Sequence, residues 1–146
     1  MAWAMELIQG PQQPCRGMPV AVGLNVVASG LAHLAQPLRI DGRLDEPVYA
    51  SVEPFSGFRQ QEPKAGEPAS EATDVWFFFD DKNIYVSARC WDSHPERDIA
   101  GERRRDGVAI TDNENFAVIF DTFHDRRNGL VFQANSIGGL RDSAIV

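Results

Sequence analysis

The chain has 146 residues, of which 43% are hydrophobic and 24% charged, and this composition fits one soluble globular domain. Its formal net charge of −7 argues against nucleic-acid partners, because binding a phosphate backbone requires clustered Lys and Arg. The basic run 103–105 stands between Glu102 and Asp106, and we interpret it as a solvated loop. Cys15 and Cys90 are too few for a disulfide framework, so Cys90 is interpreted as a buried thiol that packs as a small hydrophobic residue.

The N-terminal segment 1–36 is predicted to lie outside the folded domain. Its most apolar stretch, Val20 to Leu34, is too short and too interrupted to span a membrane. Together with the preceding Arg16 it has the weak shape of a signal peptide, and an unstructured leader is the open alternative. The domain is therefore predicted to cover residues 37–146.

The first elements of this domain are short. Leu38–Gly42 is predicted to be a strand that ends in a turn, and Asp45 is expected to cap a helical turn that contains Pro47. Residues 53–60 are a possible strand. Residues 63–70 are rich in proline and charge, which indicates an exposed loop.

A β-hairpin is the strongest signal in the chain. Val75–Phe79 is crowded with β-branched and aromatic residues, Asp80–Asn83 is typical of a turn, and Ile84–Trp91 alternates with period two. The loop between the two strands can have two or four residues, because both lengths give pairings in which one face of the hairpin is apolar throughout. The two-residue register would place Trp76 across from Arg89, within reach of a cation–π contact.

The rest of the chain also favours strands. Residues 92–110 are polar and irregular, with a helical turn predicted after Pro95. Strands are predicted at 115–121, 130–135 and 140–146, separated by turns at 124–128 and 138–139. Many short strands without an amphipathic helix indicate an all-β fold, an antiparallel β-sandwich.

Four stretches together resemble one family. They are Ile40–Tyr49, Phe79–Val86, Arg89–Asp92, and Asp121–Gly129 continuing through Phe132 to Asn135. In this order they are similar to the family 9 carbohydrate-binding module, above all to the version at the N-terminus of large bacterial outer-membrane-associated proteins. The resemblance covers residues 38–146.

The resemblance implies a jelly-roll-like sandwich that binds a saccharide and accompanies glycoside hydrolysis without performing it. We therefore expect an accessory domain of a secreted, periplasmic or outer-membrane-associated protein. A membrane β-barrel or a catalytic domain is expected C-terminal to it in the full-length protein. Because the family domain is longer, the last strands are expected beyond Val146.

Sugar binding calls for aromatic faces against the pyranose ring and planar polar groups for its hydroxyls. The aromatic candidates are Trp76, Tyr85 and Trp91, which share a face with Phe78. The polar candidates are Arg89, Gln133 and Asn135. The alternative is that these aromatics form ordinary core, since a sandwich hides one face of each sheet.

Acidic residues suggest two further possibilities. Asp112 and Glu114 belong to an oxygen-rich cluster that could hold structural Ca²⁺, which family 9 modules can bind, although a plain Asn/Asp-rich loop is the commoner explanation of such a cluster. Asp80, Asp81 and Asp92 could be glycosidase carboxylates, but their positions at strand ends favour turn formation. A docking domain without a sugar ligand and a hydrolase acting on O-glycosyl compounds thus remain as alternatives.

Overall fold

The computed structural model describes residues 2–8, 31–61 and 63–146, which form mainly β-structure in two sheets. The strands are β1 (Ala2–Ile8), β2 (Leu31–His33), β3 (Thr73–Phe79), β4 (Asn83–Cys90), β5 (Asn115–Phe120), β6 (Gly129–Asn135) and β7 (Leu140–Ile145). The helical segments are α1 (Pro47–Ser51) and the 3₁₀ turns Pro95–Arg97 and Val108–Asp112. The predicted all-β class is confirmed. Within the described ranges, no helix is both long enough and apolar enough to cross a membrane.

The first sheet is built around the predicted hairpin and has the strand order β1-β4-β3-β2. β3 and β4 are antiparallel, and Phe79 pairs with Ile84 across the turn. The Asp80 carboxylate accepts hydrogen bonds from the backbone N–H groups of Lys82 and Asn83, each at 2.7 Å, and these bonds hold the longer turn. The two-residue register is therefore wrong.

One face of this hairpin points toward the second sheet. Its buried side chains are Val75, Phe77, Val86 and Ala88, as the period-two pattern predicts. Phe116, Val118 and Phe120 of β5 pack against them. The two sheets therefore share an apolar cluster in which each contributes alternate residues of its strands.

The opposite face of the hairpin is covered by the segment 34–52, which includes α1. Leu34 is buried there with Trp76, Phe78 and Tyr85. Further apolar side chains of the segment pack on this cluster: Leu38, Leu44, Val48, Tyr49 and Val52. Both faces of the central hairpin are thus buried, which explains why β3 carries an almost unbroken apolar run.

The second sheet is antiparallel with the order β5-β6-β7, and its strands match the predicted ones to within a residue at each end. Phe132 and Ala134 of β6 are buried on the side that bears Phe116 and Val118. Leu130 and Leu140 are exposed, although their register places them on this same side. The first sheet therefore leaves part of β6 and β7 uncovered.

Several local predictions fail for identifiable reasons. Leu38–Gly42 is not a strand, and only its Leu38 side chain packs against the first sheet. Asp45 does not cap α1, because Glu46 occupies the N-cap position and Asp45 instead binds Arg39 at 3.1 Å. Residues 53–60 form only isolated bridges, one of them between Phe55 and Val75.

Cys90 also differs from its prediction. It is buried as expected, but it is disulfide-bonded, so its interpretation as a free thiol is wrong. The parity of β4 places Cys90 on the same side as the buried Ala88, and Thr73 lies directly across from it. The sequence pattern could indicate this burial but not the bond.

Part of the predicted leader lies in the first sheet. β2 pairs in parallel with β3 at Phe77–Phe79, and Leu34 is buried, so residues 31–34 pack with the domain ahead of its predicted start at 37. β1 pairs in parallel with β4. A signal peptide or unstructured leader stays a prediction, and residues 9–30 of that segment lie outside the described residues.

The basic run lies in an exposed loop, as predicted, and two of its members have acidic partners. Arg104 forms a bidentate pair with the buried Glu102, at 3.1 and 2.9 Å. Arg105 pairs with Asp142 of β7. The Arg104 pair closes within the loop, the Arg105 pair connects the loop to the second sheet, and both partly neutralise the run.

Candidate functional site

Three of the predicted ligand residues come together at the end of β4. The Arg89 guanidinium lies 6.0 Å from the centre of the Trp76 ring and 5.8 Å from the centre of the Trp91 ring. Both distances are within the range of a cation–π contact. Arg89 is thus held between a buried and an exposed indole.

The two tryptophans have different surroundings. Trp76 is 5% exposed, and its indole N–H donates to the Val52 carbonyl at 3.0 Å. Tyr49 packs edge-on against it, with ring centres 5.4 Å apart. Trp91 follows the last residue of β4 and is 41% exposed, with its backbone N–H bound to the Ala72 carbonyl. Trp76 therefore anchors the site, and Trp91 offers a ring surface to solvent.

Arg89 reaches Trp76 diagonally. The residue directly across from Trp76 is Ser87, whereas Arg89 lies opposite Asp74. The expected cation–π contact is present, but it forms in the four-residue register and not in the two-residue register with which it was associated. A diagonal neighbour on an antiparallel pair is within reach of a side chain as long as arginine.

Sequence reasoning missed Asp74, Glu71 and Ser93 as neighbours of this cluster. Asp74 shares a face with Trp76 by strand parity, so the same alternation could have identified it. The Ser93 hydroxyl donates to the Glu71 carboxylate at 2.5 Å, which links the segments on either side of the hairpin end. No pattern in the sequence predicts this link.

Tyr85 does not belong to the cluster. It is buried, and its hydroxyl donates to Asp80 at 2.6 Å and accepts from the Asn83 side chain at 3.1 Å. Burial, together with the bond to Asp80, raises the pKa of Tyr85. The same hydroxyl, helped by the Lys82 N–H, holds the pKa of Asp80 well below its usual range. Tyr85 therefore stabilises the β3–β4 turn.

Asn135 lies in the second sheet and is 2% exposed. Its side-chain N–H groups donate to the Glu102 carbonyl at 2.6 Å and to the Asn113 side-chain oxygen at 3.2 Å. Its own oxygen accepts from the Gly139 N–H at 2.7 Å. All its polar atoms have partners within the chain, so Asn135 joins the loop before β5 to the β6–β7 turn.

Gln133 is half-buried on the same face of β6 as Asn135. Its contacts are long: its amide N–H donates to Asn115, and Arg141 donates to its oxygen, both at 3.4 Å. Such weak contacts leave the amide able to exchange partners. No contact joins Gln133 or Asn135 to the cluster at the end of β4 among the residues that the structure describes.

No protein-family model, no curated protein and no solved structure matches this chain. The assignment of a site therefore depends on the side chains themselves. Of these, Arg89 and Trp91 combine a cation with an exposed aromatic surface.

The two predicted calcium ligands, Asp112 and Glu114, lie in the segment that leads into β5. Asp112 ends a 3₁₀ turn with its side chain exposed, and Glu114 is half-buried next to β5. In the described ranges, no group of three or more His, Cys, Asp or Glu side chains is placed to hold a metal ion. Asn113 separates the two acids and uses its oxygen to accept from the backbone of Gly101 and Glu102. The calcium site stays a prediction.

The acidic residues of the hairpin act in its turns. Asp80 holds the β3–β4 turn as described, and Asp92 accepts from the His94 N–H at 2.7 Å. The preference for the turn interpretation is confirmed for both residues. The eight residues of β4 separate them, which corresponds to about 25 Å of extended chain. Paired glycosidase carboxylates stand only about 5–10 Å apart, so this pair is too widely spaced for that chemistry.

Proposed function

We propose that the chain is a non-catalytic carbohydrate-binding domain, a β-sandwich of jelly-roll type related to the family 9 modules. In this proposal it is an accessory part of a larger secreted or envelope protein. The observation that carries the proposal is the exposed Trp91 ring beside the Arg89 guanidinium. The fold supports it through the apolar cluster that two β-sheets share.

An indole face and a guanidinium are complementary to different parts of a sugar. The C–H groups on one side of a pyranose ring pack on an aromatic face, while ring hydroxyls accept hydrogen bonds from N–H donors. Arg89 is held by stacking on Trp76, which is itself fixed by Val52 and Tyr49. A donor fixed in this way loses less conformational entropy when a ligand binds.

The acidic residues support a binding rather than a hydrolytic role. Asp80 and Asp92 are too far apart to act on one glycosidic bond, and both carboxylates accept hydrogen bonds from turn backbone. Asp81 is highly exposed at the opposite end of β4 from Trp91. Neither Asp80 nor Asp81 can therefore pair with Asp92 on one glycosidic bond.

The proposed location outside the cytosol is supported by Cys90. This residue is disulfide-bonded, and disulfides persist mainly in secreted, periplasmic and surface proteins. A saccharide ligand and an extracytoplasmic compartment are compatible, since extracellular and envelope polysaccharides occur there.

A glycan panel tests the proposal directly. The folded chain is titrated with soluble oligosaccharides while tryptophan fluorescence and heat release are measured. We expect weak binding, with a dissociation constant in the micromolar to millimolar range, because the exposed aromatic surface is small. Trp91→Ala should abolish binding. Phe123→Ala removes an aromatic that is 76% exposed in the β5–β6 loop and should leave binding unchanged. If the folded protein binds none of the glycans, the proposal is wrong.

The second candidate is a structural domain without a sugar ligand. Two observations favour it: Trp76 and Tyr85 are buried, and Leu130 and Leu140 are exposed on the side of the second sheet that faces the first. Exposed apolar side chains on a sheet are typical of surfaces that another part of a larger protein covers. A folded chain that binds no glycan of the panel would agree with this second candidate.

A further inference from the structure

Among the residues that the structure describes, the Arg89 guanidinium has aromatic contacts but no acceptor. It is half-buried between the rings of Trp76 and Trp91. No hydrogen bond or ion pair to it is present within the part of the chain that the structure describes. A guanidinium carries five N–H donors in a planar fork, and donors that no side chain of the described residues uses remain available to a ligand. A ligand that supplies oxygen acceptors can bind to them directly.

From this arrangement we infer that the site selects an acidic sugar, a uronic acid whose carboxylate binds the Arg89 fork while its ring lies on Trp91. The inference rests on the proposed sugar-binding function and adds the class of sugar. Two parallel N–H groups of an arginine match the two oxygens of a carboxylate, and such charge-assisted bonds are roughly twice as strong as neutral ones. A hydroxyl offers only one acceptor atom to the same fork.

The charges around Arg89 determine how strongly the site prefers an acidic sugar to a neutral one. Asp74 lies directly across the strand pair on the same face, and its carboxylate is more than 4.0 Å from the guanidinium, because no ion pair joins them. The Glu71 carboxylate accepts a hydrogen bond from the Ser93 hydroxyl. Asp74 therefore leaves the N–H groups of Arg89 free, but its negative charge repels the carboxylate of a sugar that approaches Arg89. Removing the Asp74 charge should strengthen binding of an acidic sugar and leave a neutral one unaffected.

The experiment compares oligogalacturonates and oligoglucuronates with their methyl esters, which keep the ring and remove the charge. Binding to the full chain is measured by calorimetry and tryptophan fluorescence at low ionic strength. We expect the acids to bind at least tenfold more tightly than the esters. Arg89→Gln should abolish this preference and Asp74→Asn should increase it severalfold. Arg127→Gln makes the same charge change in the exposed β5–β6 loop and should preserve it.

Folding of each variant is checked by circular dichroism. If Arg89→Gln does not fold, Arg89→Lys replaces it, because lysine keeps the charge and the ring contact but lacks the fork. That variant should lose most of the preference.

The outcomes separate this inference from the proposed function. Equal binding of acids and esters, lost in Trp91→Ala, would overturn the acidic-sugar inference and leave sugar binding intact. An equal loss of preference in Arg127→Gln would overturn the role of Arg89, because it would indicate a general charge effect. Tighter binding of a sulfated sugar of the same backbone would overturn the choice of a carboxylate. Failure of every sugar to bind would remove the proposed function and this inference together.

Discussion

Replacing Asn135 by alanine should destabilise the fold strongly without touching a ligand site. The substitution removes the side-chain bonds to the Glu102 carbonyl at 2.6 Å and to the Gly139 N–H at 2.7 Å. Both groups lie where Asn135 itself is 2% exposed, so water cannot readily replace the amide. An unpaired buried polar group costs about 1–3 kcal/mol. Two such groups give an expected loss of about 3 kcal/mol in the free energy of unfolding.

Urea denaturation followed by tryptophan fluorescence measures this loss. For a domain of this size the slope is about 1.5 kcal/mol per molar urea, so the midpoint should fall by about 2 M. Gln133→Ala is the matched control, because Gln133 lies on the same face of β6 but makes only contacts of 3.4 Å. It should lower the stability by less than about 0.5 kcal/mol. A midpoint for Asn135→Ala that equals the control would refute the structural role and return Asn135 to the list of ligand candidates.

Three further predictions concern ionisable groups and the disulfide. Hydrogen bonds from Arg104 lower the pKa of Glu102 from 4.5 to about 2, so the stability from this carboxylate is complete above pH 4.5 and is lost as the pH falls toward 2. Glu102→Gln should therefore flatten the fall of the melting temperature across that window, and an unchanged slope would contradict this. Tyr85→Phe removes the donor that lowers the pKa of Asp80, so the pKa should rise toward its usual range in an NMR titration, and an unshifted curve would count against the bond. Thiol titration of the denatured, unreduced chain should detect no reactive thiol at Cys90, whereas one reactive thiol would rule out the disulfide.

The faces of the β3–β4 hairpin could be predicted from the sequence, but its register could not. Alternation places Val75 and Phe77 with Val86 and Ala88 in any register of the same parity, and the structure has this arrangement. The choice between two such registers depends on the turn, where the carboxylate of Asp80 binds two backbone N–H groups. That choice is made by side-chain geometry, which a periodic pattern does not contain.

Strand alternation likewise predicts which residues of the candidate site share a face, but not which of them stay exposed. Parity places Trp76, Tyr85, Arg89 and Trp91 on one face, but it does not say how far along the strands a covering segment extends. The cover that includes α1 buries Trp76 and Tyr85 and ends before Trp91. Which aromatic stays exposed is thus decided by a long-range contact between residues far apart in the sequence.

The two tryptophans beside Arg89 differ in how freely they can be replaced during evolution. Trp76 is tied to the Val52 carbonyl and packed in the core, so its replacement disturbs folding before it alters any ligand contact. Trp91 lies at the surface, where its ring contacts the Arg89 guanidinium. A library randomised at Trp91 and the nearby Ser93 should therefore yield mostly folded proteins with altered ligand preference. Under the proposed function, such a division would let recognition diversify while the β-sheet framework is inherited intact.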